Sequence, residues 1–291
     1  MKKILVISGK GGTGKTFMTA SLAVLAKNKV MVDCDVDAAN LYLLLHPDIK
    51  KAEVFKGGWE AEINQDKCIQ CEKCLKACRF EAIKVIKDKK GCAEKIVIDP
   101  FSCEGCGACR YACPVGAVEL KEKESGKWFI SDTKYGPFVF AKLGIAAENS
   151  GKLVSKIKEE AHKIAKMHKC DYIIIDGPPG IGCPVIASMS GVDIALVVTE
   201  PTLSGISDMQ RVIQVAEHFG VETKVVINKY DINIENSEDI EKICGEKSIE
   251  VIGKIPFSER IVQSVVKQLP FAEFSNDSIT GDIGKLWERI K

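Results

Sequence analysis

The chain has 291 residues, 46% hydrophobic and 28% charged, with 41 Lys and Arg against 40 Asp and Glu. That length suits one large domain or two smaller ones, and a formal net charge of +1 without a basic run argues against nucleic-acid binding. Thirteen cysteines are the outlier; an odd number in a large chain with a globular core does not read as a secreted disulfide scaffold.

Met1-Lys2-Lys3 before Ile4-Leu5-Val6-Ile7 imitates a secretory start, but the apolar run ends too soon for a signal peptide. No stretch approaches the roughly 18 apolar residues of a membrane span. A cytoplasmic protein with reduced or metal-bound thiols, and no membrane or nucleic-acid partner, is expected.

In chain order, an apolar β-rich run at 3–8 leads to helical spacing at 16–27 and a second run at 29–33. From about 56 to 130 the chain turns rich in Cys, Lys and Glu. The α/β rhythm resumes near Tyr135, with a helix at 153–167 and strands at 172–176 and 193–199. A helix at 204–219, a strand at 224–228, a helix at 237–244, a strand at 250–255 and a helix at 258–267 follow. Short, continuously apolar strands alternating with helices predict a mostly parallel sheet covered by helices on both faces. The fold class is therefore α/β, with a discontinuous domain at 1–55 and 131–291 interrupted by a small α+β insert at 56–130.

Gly9-Lys10-Gly11-Gly12-Thr13-Gly14-Lys15-Thr16 matches G-x-x-x-x-G-K-[ST] between a strand and a helix, and so makes the class that of a P-loop NTPase. Such a loop turns backbone N–H groups inward around phosphate, and the following helix presents the positive end of its dipole. Gly11, Gly12, Thr13, Gly14, Lys15 and Thr16 form the candidate cradle, with Lys15 on the β- and γ-phosphates and Thr16 on Mg²⁺.

Lys10 adds information, because that loop position is unconstrained by the general motif. Lys10–Thr16 resembles the deviant Walker A of the MinD/ParA superfamily of P-loop ATPases, to which the nitrogenase iron protein and Mrp-type iron–sulfur ATPases belong. The resemblance implies ATP/ADP and Mg²⁺ as ligands, and a homodimer in which Lys10 reaches the nucleotide of the opposing subunit. Val32-Asp33-Cys34-Asp35-Val36-Asp37 is similar to the family's switch I, which makes Asp35, ahead of Asp33 and Asp37, the water-activating carboxylate. Ile173-Ile174-Ile175-Asp176-Gly177-Pro178-Pro179-Gly180 resembles Walker B running into switch II, with Asp176 on Mg²⁺ and a Gly-Pro-Pro-Gly turn. Val226-Ile227-Asn228-Lys229 resembles the adenine-recognition segment, and Gly253-Lys254-Ile255-Pro256-Phe257 the late loop that packs on adenine, marking Asn228 and Pro256.

The insert repeats internally. Cys68, Cys71, Cys74 and Cys78 recur 35 residues on as Cys103, Cys106, Cys109 and Cys113, and the displacement carries Ala82 onto Ala117 and Ile63 onto Ile98. Both runs have the CxxCxxCxxxC spacing of bacterial ferredoxins, in which three thiolates wrap one [4Fe–4S] cluster and the fourth crosses to the other. One set is then Cys68, Cys71, Cys74 and Cys113; the other is Cys103, Cys106, Cys109 and Cys78. Zinc is the competing reading, but it does not explain two four-cysteine runs with this ending. Arg79 follows Cys78 where Pro114 follows Cys113, a departure that bears on the turn and not on the ligand count. Cys34, Cys92, Cys170 and Cys244 read as packing residues. Cys183 follows switch II, where nitrogenase iron proteins carry a ligand of a bridging cluster, but no second cysteine stands in the other matching region, 147–151.

The expectation is an ATP-hydrolysing, dimerising switch carrying two [4Fe–4S] clusters and delivering electrons to a redox or metalloprotein partner. The alternative is an assembly ATPase, a scaffold or carrier for iron–sulfur or other metal cofactors, although the C-terminal CxxC of Mrp-type carriers is missing. A MinD-like spatial regulator comes third, since residues 278–291 are too short and mixed for a membrane-binding helix.

Overall fold

The computed structural model describes residues 1–87, 93–144 and 150–291. Cys92 and most of the 147–151 segment lie outside the described residues. Along the chain run β1 (Lys2–Ser8), α1 (Lys15–Leu25), β2 (Lys29–Asp33), α2 (Leu41–Leu45), β3 (Asp48–Ile63), α3 (Lys73–Ala77), β4 (Ile83–Lys87), β5 (Ala93–Ile98) and α4 (Ala108–Ala112). Then come β6 (Val118–Thr133), β7 (Gly136–Leu143), α5 (Ser150–Met167), β8 (Tyr172–Pro179), α6 (Cys183–Met189), β9 (Ile194–Thr199) and α7 (Leu203–His218). Last are β10 (Glu222–Asn228), a 3₁₀ turn (Tyr230–Ile232), α8 (Ile234–Glu246), β11 (Glu250–Ile255), α9 (Glu259–Val266), α10 (Phe271–Phe274) and α11 (Ser278–Glu288).

The main sheet has the order β11-β10-β9-β1-β8-β2-β7-β6-β3, and the seven strands from β11 to β7 are parallel. All six apolar runs of the sequence are among them. Ile4 and Val6 of β1 join Met18 and Leu22 of α1 and Ile283 and Leu286 of α11 in one buried layer. Leu5 and Ile7 alternate to the opposite face, which α5, α6 and α7 line. A parallel sheet covered on both sides needs strands with unbroken apolar middles, and Ile4–Ile7 of β1, Val30–Val32 of β2 and Ile194–Val198 of β9 meet that need.

The described residues divide into two compact units: 1–53, 127–143 and 150–291 in one, and 54–87, 93–126 and 144 in the other. The sequence boundaries at 56 and 130 fall inside β3 and β6, 16 residues each, because both strands run without a break from one unit into the other.

The smaller unit repeats in three dimensions. Helices α3 and α4 occupy positions 35 residues apart, and β4 pairs antiparallel with β5, Ile83 opposite Ile98. Asn64 N–H donates to Ala117 O at 2.8 Å and Asp99 N–H to Ala82 O at 2.7 Å, one bond mapped onto the other by the 35-residue step. Cys78 and Cys113 share the same backbone, φ −81° with ψ 113° and 112°. Arg79 therefore leaves the turn unaltered: the extended conformation that proline imposes on its predecessor is reached at Cys78 without it.

Candidate functional site

The phosphate loop leaves β1 and enters α1 at the carboxyl end of the sheet. Gly14 caps α1 at φ +94°, and a Cβ there would lie 2.3 Å from Asn228 Nδ2. Both constraints demand glycine. Asn228, at the end of β10, is 3% exposed, and its amide donates to Thr13 O at 2.8 Å. The residue marked as an adenine reader is thus set beneath the loop as a strut, with Oδ1 buried and unpartnered.

Asp176 is the hub of the buried polar cluster, fully buried in β8 beside β1, with Val6 as its register partner. Its carboxylate accepts from Lys15 Nζ at 3.0 Å, Thr19 Oγ1 at 2.8 Å and Thr16 Oγ1 at 2.9 Å. Lys15, Thr16 and Asp176 are thereby brought together. Thr19 was missed by sequence reading; one helical turn beyond Thr16, its spacing was the available signal. The expected turn at 177–180 begins later than its glycine suggests: β8 continues through Pro179, and Gly180 N–H closes onto Ser8 O at 3.0 Å.

The three switch carboxylates separate by role. Asp33 is fully buried, and its oxygens accept the N–H groups of Asp35 at 3.0 Å and Leu41 at 3.1 Å. Burial, then the neighbouring Asp176 charge, pushes its carboxyl well above the usual range. Asp33 therefore shapes the segment. Asp35 faces Lys15 at 3.8 Å, and its carboxyl is also raised, burial being the larger cause and Asp176 adding to it against the pull of Lys15. Asp37 is exposed. Burial alone would lower Lys15, but Asp176, Asp33 and Asp35 together outweigh it and hold the ammonium charged.

Lys10 turns back onto its own chain. Its Nζ lies 2.8 Å from Glu200, 3.0 Å from Thr202 Oγ1 and 2.8 Å from Ser204 Oγ, on the segment that opens α7. Glu200 also pairs with Lys229 at 2.9 Å, and Lys229 donates to Gly12 O at 3.1 Å. Nothing in the local sequence singles out Glu200; only the fold brings it across some 190 residues to the loop. Pro256 is half-buried just beyond β11.

In the smaller unit two cavities lie among the cysteines. One is lined by Cys68, Cys71, Cys74 and Cys113; the other by Cys103, Cys106, Cys109 and Cys78. Each takes three thiols from one half of the repeat and the fourth from the other. Apolar walls complete them, Ile63, Ile96 and Val118 in the first, Ile98, Ile83 and Ala61 in the second. Gly105, between two of the cysteines, has φ +63°, and a Cβ there would stand 2.1 Å from Trp59 O. Cys113 Sγ accepts from Ala117 N–H at 3.2 Å; burial pushes this thiol up, but N–H donors of the turn outweigh it and leave it below its usual value. No group of three or more His, Cys, Asp or Glu among the described residues is placed to hold a single metal ion. Of the other cysteines, Cys34, Cys170 and Cys244 are buried, and Cys183 is exposed at the start of α6 with its backbone against Gly151.

A phosphate loop, its lysine and a buried aspartate on the adjacent parallel strand define a P-loop nucleoside triphosphatase. Residues 4–271 match the CobQ/CobB/MinD/ParA nucleotide binding domain, and the chain belongs to that family of P-loop ATPases. It is 36% identical over 295 residues to the uncharacterized protein MJ0578 of Methanocaldococcus jannaschii, covering 99% of this chain and 96% of that one. With the septum site-determining protein MinD of Thermotoga maritima it shares 26% identity over 298 residues, 99% of this chain and 87% of that one. The fold is similar to that of MinD from Pyrococcus horikoshii complexed with Mg-ADP, with a TM-score of 0.57 at 19% identity over 100% of this chain and 96% of the other. No helix among the described residues is long and apolar enough to cross a membrane.

Proposed function

We propose that this chain is an ATP-driven, dimerising switch that carries two [4Fe–4S] clusters and couples nucleotide state to electron transfer to a partner protein in the cytoplasm. The observation that carries the reading is the pair of four-cysteine cavities in a chain with a complete phosphate loop. The donor sets fit the clusters. A zinc ion draws four ligands to one point, whereas a cubane holds its thiolates apart at separate iron corners; thiols arranged around cavities suit the second. Bound clusters supply one-electron transfer.

Phosphate is taken by Lys15 and the N–H groups of Gly11–Thr16, with the hydroxyl of Thr16 and Asp176 as the residues that hold Mg²⁺. Asp35, 3.8 Å from Lys15, is the carboxylate that would orient the attacking water and accept its proton. Lys10 exchanges Glu200 for the nucleotide of a second subunit, so closure and the loss of one intramolecular ion pair are one event.

Anaerobically purified protein, assayed for iron and sulfide and then by EPR with and without MgATP, tests this. Eight irons per chain and a nucleotide-sensitive spectrum are expected. Fewer than eight in fully loaded protein removes the two-cluster assignment, and an ATP-insensitive spectrum shifts the role to cofactor assembly, in which clusters transfer to an apo-acceptor. The septum-site relatives favour a second reading, a spatial regulator of the MinD kind. Against it, α11 buries Ile279, Ile283, Leu286 and Trp287 in its own unit and keeps no apolar face for a bilayer.

A further inference from the structure

Arg79 replaces the proline of the second half of the repeat without altering its turn, so its side chain is open to another use. It is exposed and pairs with no carboxylate among the described residues. The same holds for Lys73 and Lys76 on α3 and for Arg110 on α4. Elsewhere in the unit cations are matched: Lys56 with Glu122, Lys67 with Glu119, Lys84 with Asp99 and Lys121 with Glu62. Neither α3, Lys-Cys-Leu-Lys-Ala, nor α4, Ala-Cys-Arg-Tyr-Ala, contains an acidic residue. The two helices pack together, with Cys74, Leu75 and Cys109 in their shared core. Lys73 and Lys76, three residues apart, stand on the outer side of α3. The position on α4 that matches Lys76 is Tyr111, 91% exposed, with Arg110 next to it in the chain. Glu72, Glu81 and Glu104 flank the helices in sequence and bond to none of the four cations.

We propose that the α3–α4 face docks an acidic electron carrier, the partner of the switch, through Lys73, Lys76, Arg79 and Arg110 set around the ring of Tyr111. The proposal rests on the cluster reading above and names the charge of the partner and the face it meets. Tyrosine is among the residues on which interfaces concentrate their energy. Unpaired cations around it steer an acidic protein onto the face and raise the association rate more than the affinity. That division suits electron carriers, whose complexes are small and short-lived. The same helices carry Cys74 and Cys109 and end at Cys78 and Cys113, so the carrier docks on the elements that supply thiols to both cavities. In transfer one electron leaves a reduced cluster for the oxidised centre of the carrier, and no covalent bond of this chain changes. Four cations on two five-residue helices, in a chain of net charge +1, are too small a basic area for a nucleic-acid backbone.

The full chain, loaded to about eight irons and reduced with dithionite, is mixed by stopped flow with oxidised flavodoxin, an acidic one-electron carrier, or with cytochrome c, a basic one. Calorimetry reads the binding of the oxidised chain to each. In wild type, reduction of flavodoxin should slow at least about tenfold from about 0.01 to about 1 M ionic strength, as the Debye length contracts from about 30 to about 3 Å; reduction of cytochrome c should not slow. Lys73→Gln, Lys76→Gln, Arg79→Gln and Arg110→Gln together should lower the low-salt flavodoxin rate about 10- to 100-fold and weaken binding. Lys152→Gln, Lys166→Gln, Lys169→Gln and Lys242→Gln, the same change of net charge on exposed lysines of the larger unit, should lower it less than about threefold. Tyr111→Ala should weaken flavodoxin binding about tenfold at every ionic strength. A salt-independent wild-type rate, a helix-face variant as fast as wild type, an equal loss in the control set or an unchanged affinity in Tyr111→Ala overturns the proposal, while the iron count leaves the clusters standing. Tighter binding of double-stranded DNA than of flavodoxin at the same salt assigns the face to nucleic acid and overturns it as well. A chain that takes up no iron overturns both readings. The wild-type salt dependence needs no variant, so misfolding of the four-residue variant does not rescue the proposal.

Discussion

Glu200 shows how one side chain can set the resting state of the loop. It is half enclosed between two lysines, and although burial alone would raise its carboxyl, Lys10 and Lys229 hold it below the usual range. Glu200→Gln keeps the shape and removes the charge that retains Lys10. A partly exposed pair is worth about 1 kcal/mol or less, so half-maximal dimerisation measured by light scattering should need up to about fivefold less ATP. Lys10→Gln should abolish nucleotide-dependent dimerisation; if it dimerises as wild type does, Lys10 has no role across the interface. A different residue sets a pH dependence. Lys29 is buried at the start of β2, and desolvation pushes its ammonium down to about 8, with Cys170 opposing weakly. A lysine whose folded pKa is depressed contributes its full stability only above the unfolded value near 10.5 and loses it as pH falls through about 8. Thermal stability should therefore carry a component rising from pH 8 to 10 in wild type that is missing in Lys29→Met. The methionine variant should be more stable at pH 7 by no more than about 3 kcal/mol. An identical pH slope in the two proteins would show that Lys29 keeps an ordinary pKa.

At the scale of elements, the loop between β1 and α1 is fixed from below by β10, which makes it a lock of two strands and a helix. Gly14→Ala places a non-glycine residue at φ +94°, at a cost of about 1–2 kcal/mol, and drives its Cβ into Asn228. The expected outcome is loss of nucleotide binding with the sheet retained by circular dichroism; unimpaired binding would mean that the Asn228 strut is dispensable. The same elements show what sequence reveals. Strands β1, β2 and β9 are legible because burial on both faces keeps their middles continuously apolar, with polar residues only at the ends. Strands β3 and β6 are not, since most side chains of β3 are exposed, those of β6 follow no regular order of burial, and Lys and Glu recur through both without the alternation that marks a half-buried strand. In the site, Lys15, Thr16 and Asp176 are legible because phosphate chemistry fixes their type and spacing. Glu200, Asp33 as a backbone anchor and Asn228 as a strut are not, because their partners are chosen by tertiary approach and a strand-end Asn or Asp has many uses.

For the whole molecule, the deepest consequence of the repeat is that neither half completes a site alone. Cys113 follows Cys109 in the chain yet lines the cavity of Cys68, Cys71 and Cys74, and Cys78 makes the reverse crossing. Iron content across pairs of substitutions should therefore follow the cavities and not the order of residues. Cys68→Ala with Cys113→Ala strikes one cavity twice and should retain about four irons of the eight, no fewer than Cys68→Ala alone. Cys68→Ala with Cys78→Ala, both in the first half of the repeat, strikes both cavities and should leave little iron. If ligation ran within each half, the second pair would keep four irons and the first would lose nearly all. Because the two pairs remove the same number of thiols from the same unit, general destabilisation would lower both alike, and only crossed ligation separates them in this direction.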